Sequence, residues 1–262
     1  MTLRGDYNSE VLRMSTNIQL LIPENSDAPF RIVYLLHGLH GNQGTWLDNT
    51  MLPYYSRKYN AVFVMPEAGR SFYLDHKYGR KYYTFISEEL PQICRKVFNI
   101  SARREDTAVM GCSMGGYGAL RLALCNPEQY AFCGAISAAC LYFRPMLDGL
   151  RGNVESYQKT GAEAVEVIKD LQALYGDSLE YRPEYDISEL VKNYAPDKPR
   201  TRIYGACGIE DKLREENLKF KDEIIKAGLD YTYEEWSGGH EWYFFNEALK
   251  KALDFWYEPA LA

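Results

Sequence analysis

Ser113 sits in G-C-S-M-G (111–115), between the apolar run 106–111 and a second run, G-G-Y-G-A-L-R-L-A-L-C (115–125), that stops at Asn126-Pro127. A G-x-S-x-G turn between a buried strand and a helix lifts the serine oxygen above the sheet edge, because small neighbours let backbone pass where a Cβ would collide. The chemistry this offers is nucleophilic attack on an acyl carbon. Glycine and serine are also common turn residues, so the motif alone fits a structural turn equally well, and its strand-turn-helix context is what favours a nucleophile.

A serine hydroxyl is a weak nucleophile at neutral pH and needs an imidazole to take its proton and a carboxylate to orient that imidazole. The chain has four histidines, His37, His40, His76 and His240. His37 and His40 lie in a loop after an early strand and His76 in a tyrosine-rich loop, whereas His240 follows the last strand in S-G-G-H (237–240). The chain order Ser, Asp, His selects His240. A lone histidine there would more often be a hydrogen-bonded loop residue; the two glycines before it and E-W-Y-F-F (241–245) behind it supply a tight approach and an apolar seat. The acid should follow the preceding strand, where G-A-C-G-I-E-D (205–211) offers two adjacent carboxylates. Asp211 is the choice and Glu210 its competitor, with Asp177 and Asp186 held in reserve. The oxyanion of acyl transfer requires two backbone N–H groups, assigned to Met114, directly after the nucleophile, and to Leu39 in L-L-H-G-L-H-G-N (35–42).

These residues need a parallel sheet to hold them. Short apolar runs at 31–36, 61–65, 107–110, 132–136 and 201–206 alternate with helix-length segments, the pattern of a parallel sheet covered on both faces. The run 18–22 reads as an antiparallel edge strand and 231–236 as a strand near the other end, giving seven or eight strands. Ile86, Leu90, Ile93 and Val97 mark a helix over 85–98 that Pro91 should kink or restart. The stretch 141–200 exceeds a simple crossover, contains a helical stripe at Ala164, Val165, Ile168, Leu171 and Leu174, and is expected to form a small cap over the site.

With 262 residues, 46% of them hydrophobic, the chain is long enough for one α/β domain over 1–262 with a substantial core. A formal net charge of −6 with charges of both signs mixed along the chain provides no basic stripe for phosphates, so nucleic acid is not expected as a partner. The first thirteen residues carry no apolar stretch of signal-peptide length and no segment approaches a membrane span; a cytoplasmic location and no membrane partner are expected. Six cysteines without C-x-x-C spacing suggest buried reduced thiols, and no metal site or cofactor is assigned. A homo-oligomer is left open.

With these motifs placed, the sequence resembles the esterase D and tributyrin-esterase group of α/β-hydrolases. The likeness spans most of the chain and rests on G-C-S-M-G-G-Y-G-A, H-G-L-H-G-N, Trp46 after that loop, Tyr78-Gly79, Tyr82-Tyr83-Thr84, E-E-L-P (88–91), N-P-E (126–128), G-I-E-D (208–211) and G-G-H-E-W-Y-F-F. It implies the α/β-hydrolase fold and a serine carboxylesterase for short acyl groups, acetyl or feruloyl esters of plant polysaccharide among them. It carries Ser113, Asp211, His240, Leu39 and Met114 into the roles argued above. Relatives of this group include S-formylglutathione hydrolases, whose oxyanion loop usually reads H-G-L-T-C; His40-Gly41 here departs from that. Acyl transfer to an alcohol on the same triad is a further reading, and a ligand-binding protein that only borrows the fold is a third. Trp46, Tyr73 and Trp242 are expected to line a substrate pocket, with core packing as the equal alternative for each.

Overall fold

The structure is a computed structural model and describes residues 1–24 and 28–257. Eight strands form one sheet: β1 (Thr2–Ser9), β2 (Met14–Leu21), β3 (Arg31–Leu36), β4 (Ala61–Pro66), β5 (Thr107–Cys112), β6 (Phe132–Ile136), β7 (Arg202–Gly208) and β8 (Tyr231–Trp236). Their spatial order is β1-β2-β4-β3-β5-β6-β7-β8. The first two ladders are antiparallel and all those from β4 to β8 parallel. The central strands are buried on both faces, which is why they read as continuous apolar runs. Alternate side chains divide between two cores. Val33, Leu35, Phe63 and Met110 pack on one face, and Ile32, Tyr34, Val64 and Val109 on the other.

The edge differs from expectation. Segment 18–22 is not the outermost strand, because β1 pairs with β2 along its whole length, Thr2 opposite Leu21 to Ser9 opposite Met14.

Between β3 and β4 lie α1 (Thr45–Asn49) and α2 (Leu52–Tyr55). The next connection holds α3 (Tyr82–Thr84), a π-helical turn over Phe85–Glu89, and α4 (Leu90–Val97). Pro91 occupies the first turn of α4 and has no N–H for the carbonyl of Ser87, which instead accepts from the Gln129 side-chain amide at 3.2 Å. The proline thus restarts the helix, and the π turn is the local adjustment.

Helix α5 (Met114–Cys125) runs back from the Ser113 turn and is buried except at its last residue. After β6 come α6 (Phe143–Leu150), α7 (Val154–Gln158), α8 (Ala162–Tyr175) and α9 (Ile187–Lys192), then α10 (Arg214–Lys226) and α11 (Trp242–Tyr257) after β7 and β8. The helices of 143–192 are tied to α5 from behind: Tyr117 Oη donates to the Tyr185 carbonyl at 2.5 Å, and buried Arg121 donates to the Glu184 carbonyl with Tyr83 and Tyr185 against its guanidinium. Asp186 caps α9 through the Ser188 N–H at 3.1 Å and accepts from the Phe143 N–H at 3.0 Å, so this buried carboxylate fastens α6 to α9.

Candidate active site

Ser113 adopts φ 55° and ψ −120°, a left-handed conformation costing a non-glycine residue about 1–3 kcal/mol. Its neighbours hold it there. The Ser113 N–H donates to the Ile136 carbonyl at 2.9 Å, and its own carbonyl accepts from the Tyr117 and Ala139 N–H groups at 3.1 and 3.2 Å. A Cβ on Gly115 would fall on the Leu36 carbonyl, and one on Gly111 would fall on Gly115, so the turn closes only with glycine at both flanks.

Met114 is the first residue of α5, and its N–H belongs to the set that a helix start leaves without an intrahelical acceptor. The partial positive charge of that end favours an anion beside Ser113. Gly38 packs against Ser113, its missing Cβ position 3.6 Å from Ser113 Cβ, and brings Leu39 to the same cleft. Behind this loop His37 is buried, with Nδ1 2.8 Å from the Gly38 carbonyl and Nε2 accepting from the Ala68 N–H at 3.1 Å. Burial holds its pKa below the ordinary histidine value against the opposing pull of that carbonyl, so the ring is a neutral strut for the loop.

Asp211 and His240 come from the turns after β7 and β8. His240 Nδ1 and Asp211 Oδ2 are 2.8 Å apart, and since the carboxylate can only accept, Nδ1 carries the proton and Nε2 is left free. Asp211 Oδ1 accepts from the Leu213 N–H at 2.9 Å. Burial opposes ionisation of Asp211, but the hydrogen bonds from His240 and Leu213 outweigh it and keep the carboxyl below its usual value. Phe245 meets the imidazole edge-on, ring centres 5.1 Å apart.

Glu210 takes no part in that contact. Its carboxylate accepts from the Gly238 N–H at 2.5 Å and the Ser237 hydroxyl at 3.2 Å, and its own N–H donates to the Gly238 carbonyl. A Cβ on Gly208 would fall on that same Gly238 carbonyl, so the two turns approach as closely as backbone allows. The sequence presents two adjacent acids with Asp211 preferred; their separate hydrogen-bond partners distinguish them. Asp186, tied to Phe143 and Ser188, is distant in role from this pair, and Asp177 is exposed.

Ser113 and His240 line a cleft of about 470 Å³ together with Leu39, Met114 and Trp242. Trp46 and Tyr73, expected in the pocket, are instead fully buried behind it. Trp46 Nε1 donates to the Leu36 carbonyl at 2.9 Å and its ring meets Trp242 edge-on; Tyr73 Oη donates to the His37 carbonyl at 2.9 Å. Each braces the strand end and loop beside Ser113. Phe72, adjacent to Tyr73, lines the cleft, as do Cys140, Met146, Glu163, Val167, Lys212 and Leu213, none of which carries a sequence motif. All six cysteines are free thiols; Cys125 and Cys140 are partly exposed rather than buried. Among the described residues no cluster of His, Cys, Asp and Glu could hold a metal ion, and no helix is long and apolar enough to cross a membrane.

This sheet, with a serine turn after β5, places the chain among the serine hydrolases of α/β-hydrolase fold. Residues 9–256 match the family described as "Putative esterase", and the chain belongs to that family of carboxylic ester hydrolases. It is 31% identical to an acetyl esterase of Caldicellulosiruptor saccharolyticus over 95% of this chain and 96% of the relative. Among solved structures it is similar to the fluorophosphonate-binding serine hydrolase FphF of Staphylococcus aureus, with 26% identity, TM-score 0.84 and 98% of each chain covered. It is also similar to the S-formylglutathione hydrolase FrmB of the same organism, with 25% identity, TM-score 0.81 and 98% of each chain covered.

Proposed function

We propose that this enzyme hydrolyses short-chain carboxylic esters, acetyl esters foremost, and stands with the esterase D and tributyrin-esterase group. The observation that carries the reading is the hydrogen-bonded His240–Asp211 pair opening on the same cleft as Ser113. In this reading the free Nε2 of His240 takes the Ser113 proton as Oγ attacks the ester carbonyl, and the oxyanion is held by the N–H groups of Leu39 and Met114. The imidazolium, stabilised by Asp211, returns the proton to the leaving alkoxide. Water then repeats the sequence on the acyl-enzyme and releases the acid. The acetyl esterase relative and the apolar lining of the cleft support a small acyl group.

The test is a panel of p-nitrophenyl esters from acetate to octanoate, run beside methyl ferulate and S-formylglutathione. The proposal expects the highest kcat/KM at acetate to butyrate. A preference for S-formylglutathione would assign the protein to thioester chemistry, and product transfer to an added alcohol would assign it to acyl transfer. Failure of a fluorophosphonate to label Ser113 would leave a binding protein on an esterase fold.

A further inference from the structure

Met146 and Val167 each belong to two walls. They line the cleft that holds Ser113 and His240, and they also line a second hollow of about 380 Å³ between α6 and α8. Glu163 is common to both spaces as well. On α6 the hollow takes Met146, Gly149 and Leu150, and on α8 Ala164, Val167 and Ile168. The i, i+3, i+4 spacing puts each set on one helix face, so the hollow is a gap left where two apolar faces do not close. Leu150 and Ile168 are buried at its floor, while Met146 and Val167 are half-buried, as residues with open space on two sides must be. The partition is therefore about one side chain thick, with Glu163 its exposed polar member, and one of its two apolar members is methionine, an unbranched chain that changes shape readily.

The placement of the hollow decides which part of an ester would reach it. His240 must meet the leaving oxygen, which puts the alkoxy group at the His240–Trp242 end of the cleft. Glu163, at the start of α8, lies 3.0 Å from His40 Nε2 in the oxyanion loop, so α8 stands over the opposite end. That end receives the acyl group.

We propose that the hollow between α6 and α8 is a subsite for the distal carbons of an unbranched acyl chain, and that Met146 and Val167 form the partition that sets the chain-length limit. The inference rests on the ester-hydrolysis reading and goes beyond it in naming what confines the acyl group. With the partition in place the enzyme takes short acyl groups. With it opened, the same triad has a continuous channel for longer ones, apolar except at Glu163.

The experiment compares the unmodified enzyme, Met146→Ala and Met146→Ala/Gly149→Leu on p-nitrophenyl acetate to octanoate. A second series of n-alkyl acetates moves the chain to the alcohol. Met146→Ala is expected to raise the octanoate-to-acetate ratio of kcat/KM by at least about tenfold, mainly through the KM for octanoate. Gly149 faces the hollow, and a Cβ there meets only the Tyr157 hydroxyl, 3.9 Å away. Gly149→Leu should therefore refill the space and cancel the gain. An unchanged ratio in a folded Met146→Ala enzyme would overturn the proposal, as would a gain confined to the alkyl acetates or one that Gly149→Leu does not reverse. If Met146→Ala fails to fold, Val167→Ala opens the same partition from the other helix and is read in the same way. An unmodified enzyme inactive on both series would overturn ester hydrolysis itself and the subsite with it, a result distinct from an unchanged ratio in an active enzyme.

Discussion

Asp211 holds His240 through a 2.8 Å hydrogen bond to Nδ1, while its neighbour Glu210 holds the loop that carries His240 through Gly238 and Ser237. One acid orients the ring and the next fastens its support. Asp211→Asn keeps the size but removes the charge that stabilises the imidazolium and allows the wrong tautomer, so turnover should fall by about 10² to 10⁴-fold. Glu210→Gln still offers an oxygen to the Gly238 N–H and should lose far less. Steady-state rates of the two variants on a short ester decide the matter, and the reverse ranking would mean that the acid is misassigned by one residue.

Ser113→Ala should leave the fold intact and remove nearly all activity, a loss of at least about 10⁴-fold. His240→Ala should do the same. Because the two act as one unit, the double variant should be no slower than either single one. Additive losses would show that His240 serves some purpose other than taking the Ser113 proton.

Acid should weaken the fold in a predictable window. The Asp254 carboxyl is lowered to about 2: burial opposes this, but hydrogen bonds from Lys250 at 2.8 Å, Lys58 at 2.6 Å and Tyr59 at 2.7 Å prevail. A depressed carboxyl stabilises the native state above its unfolded value, and the contribution is lost as pH falls through the folded one. Asp254→Asn should thus cost about 1 kcal/mol near neutrality, after solvent screening, with the difference shrinking below about pH 4 and closing only as pH falls through about 2. Urea midpoints at pH 6 and pH 3 measure it; a difference as large at pH 3 as at pH 6 would refute the assignment.

Gly115→Ala should be far more damaging than one methyl suggests. The added carbon meets the Leu36 carbonyl, a backbone group of a central strand that cannot rotate away. Overpacking of this kind costs about 1–3 kcal/mol, and here the shift it forces falls on the serine turn. A lower melting temperature should therefore accompany an activity loss out of proportion to it. Normal kinetics in this variant would show that the turn is looser than the structure implies.

The sheet was legible because strands buried on both faces write themselves as apolar runs, and β3 to β7 fall where those runs lie, whereas the half-exposed β8 shows itself by alternation. β1 was not. T-L-R-G-D-Y-N-S is exposed along most of its length, so the outermost strand has no hydrophobic period to reveal it. The elbow and the His240 turn were legible from glycine spacing, a signal of close backbone approach. The difference between Asp211 and Glu210 was visible only as a preference, since it depends on which side of a turn each carboxylate leaves. Trp46 and Tyr73 show the remaining limit: a loop aromatic beside a site has the same local sequence whether its ring faces the cleft or braces it from behind. Met146 and Val167 belong to ordinary helical stripes, and only the packing of α6 on α8 gives them two exposed sides.

The backbone clip between the turns after β7 and β8 draws on residues 208–210 and 236–238 alone, and none of it comes from the helices of 143–192. On the reading proposed above, the Asp211–His240 pair and the walls that measure the acyl group are therefore anchored to separate stretches of chain. On that reading, substitutions in those helices away from their ties to α5 and His40 can retune which esters are accepted while the Asp211–His240 hinge keeps its geometry.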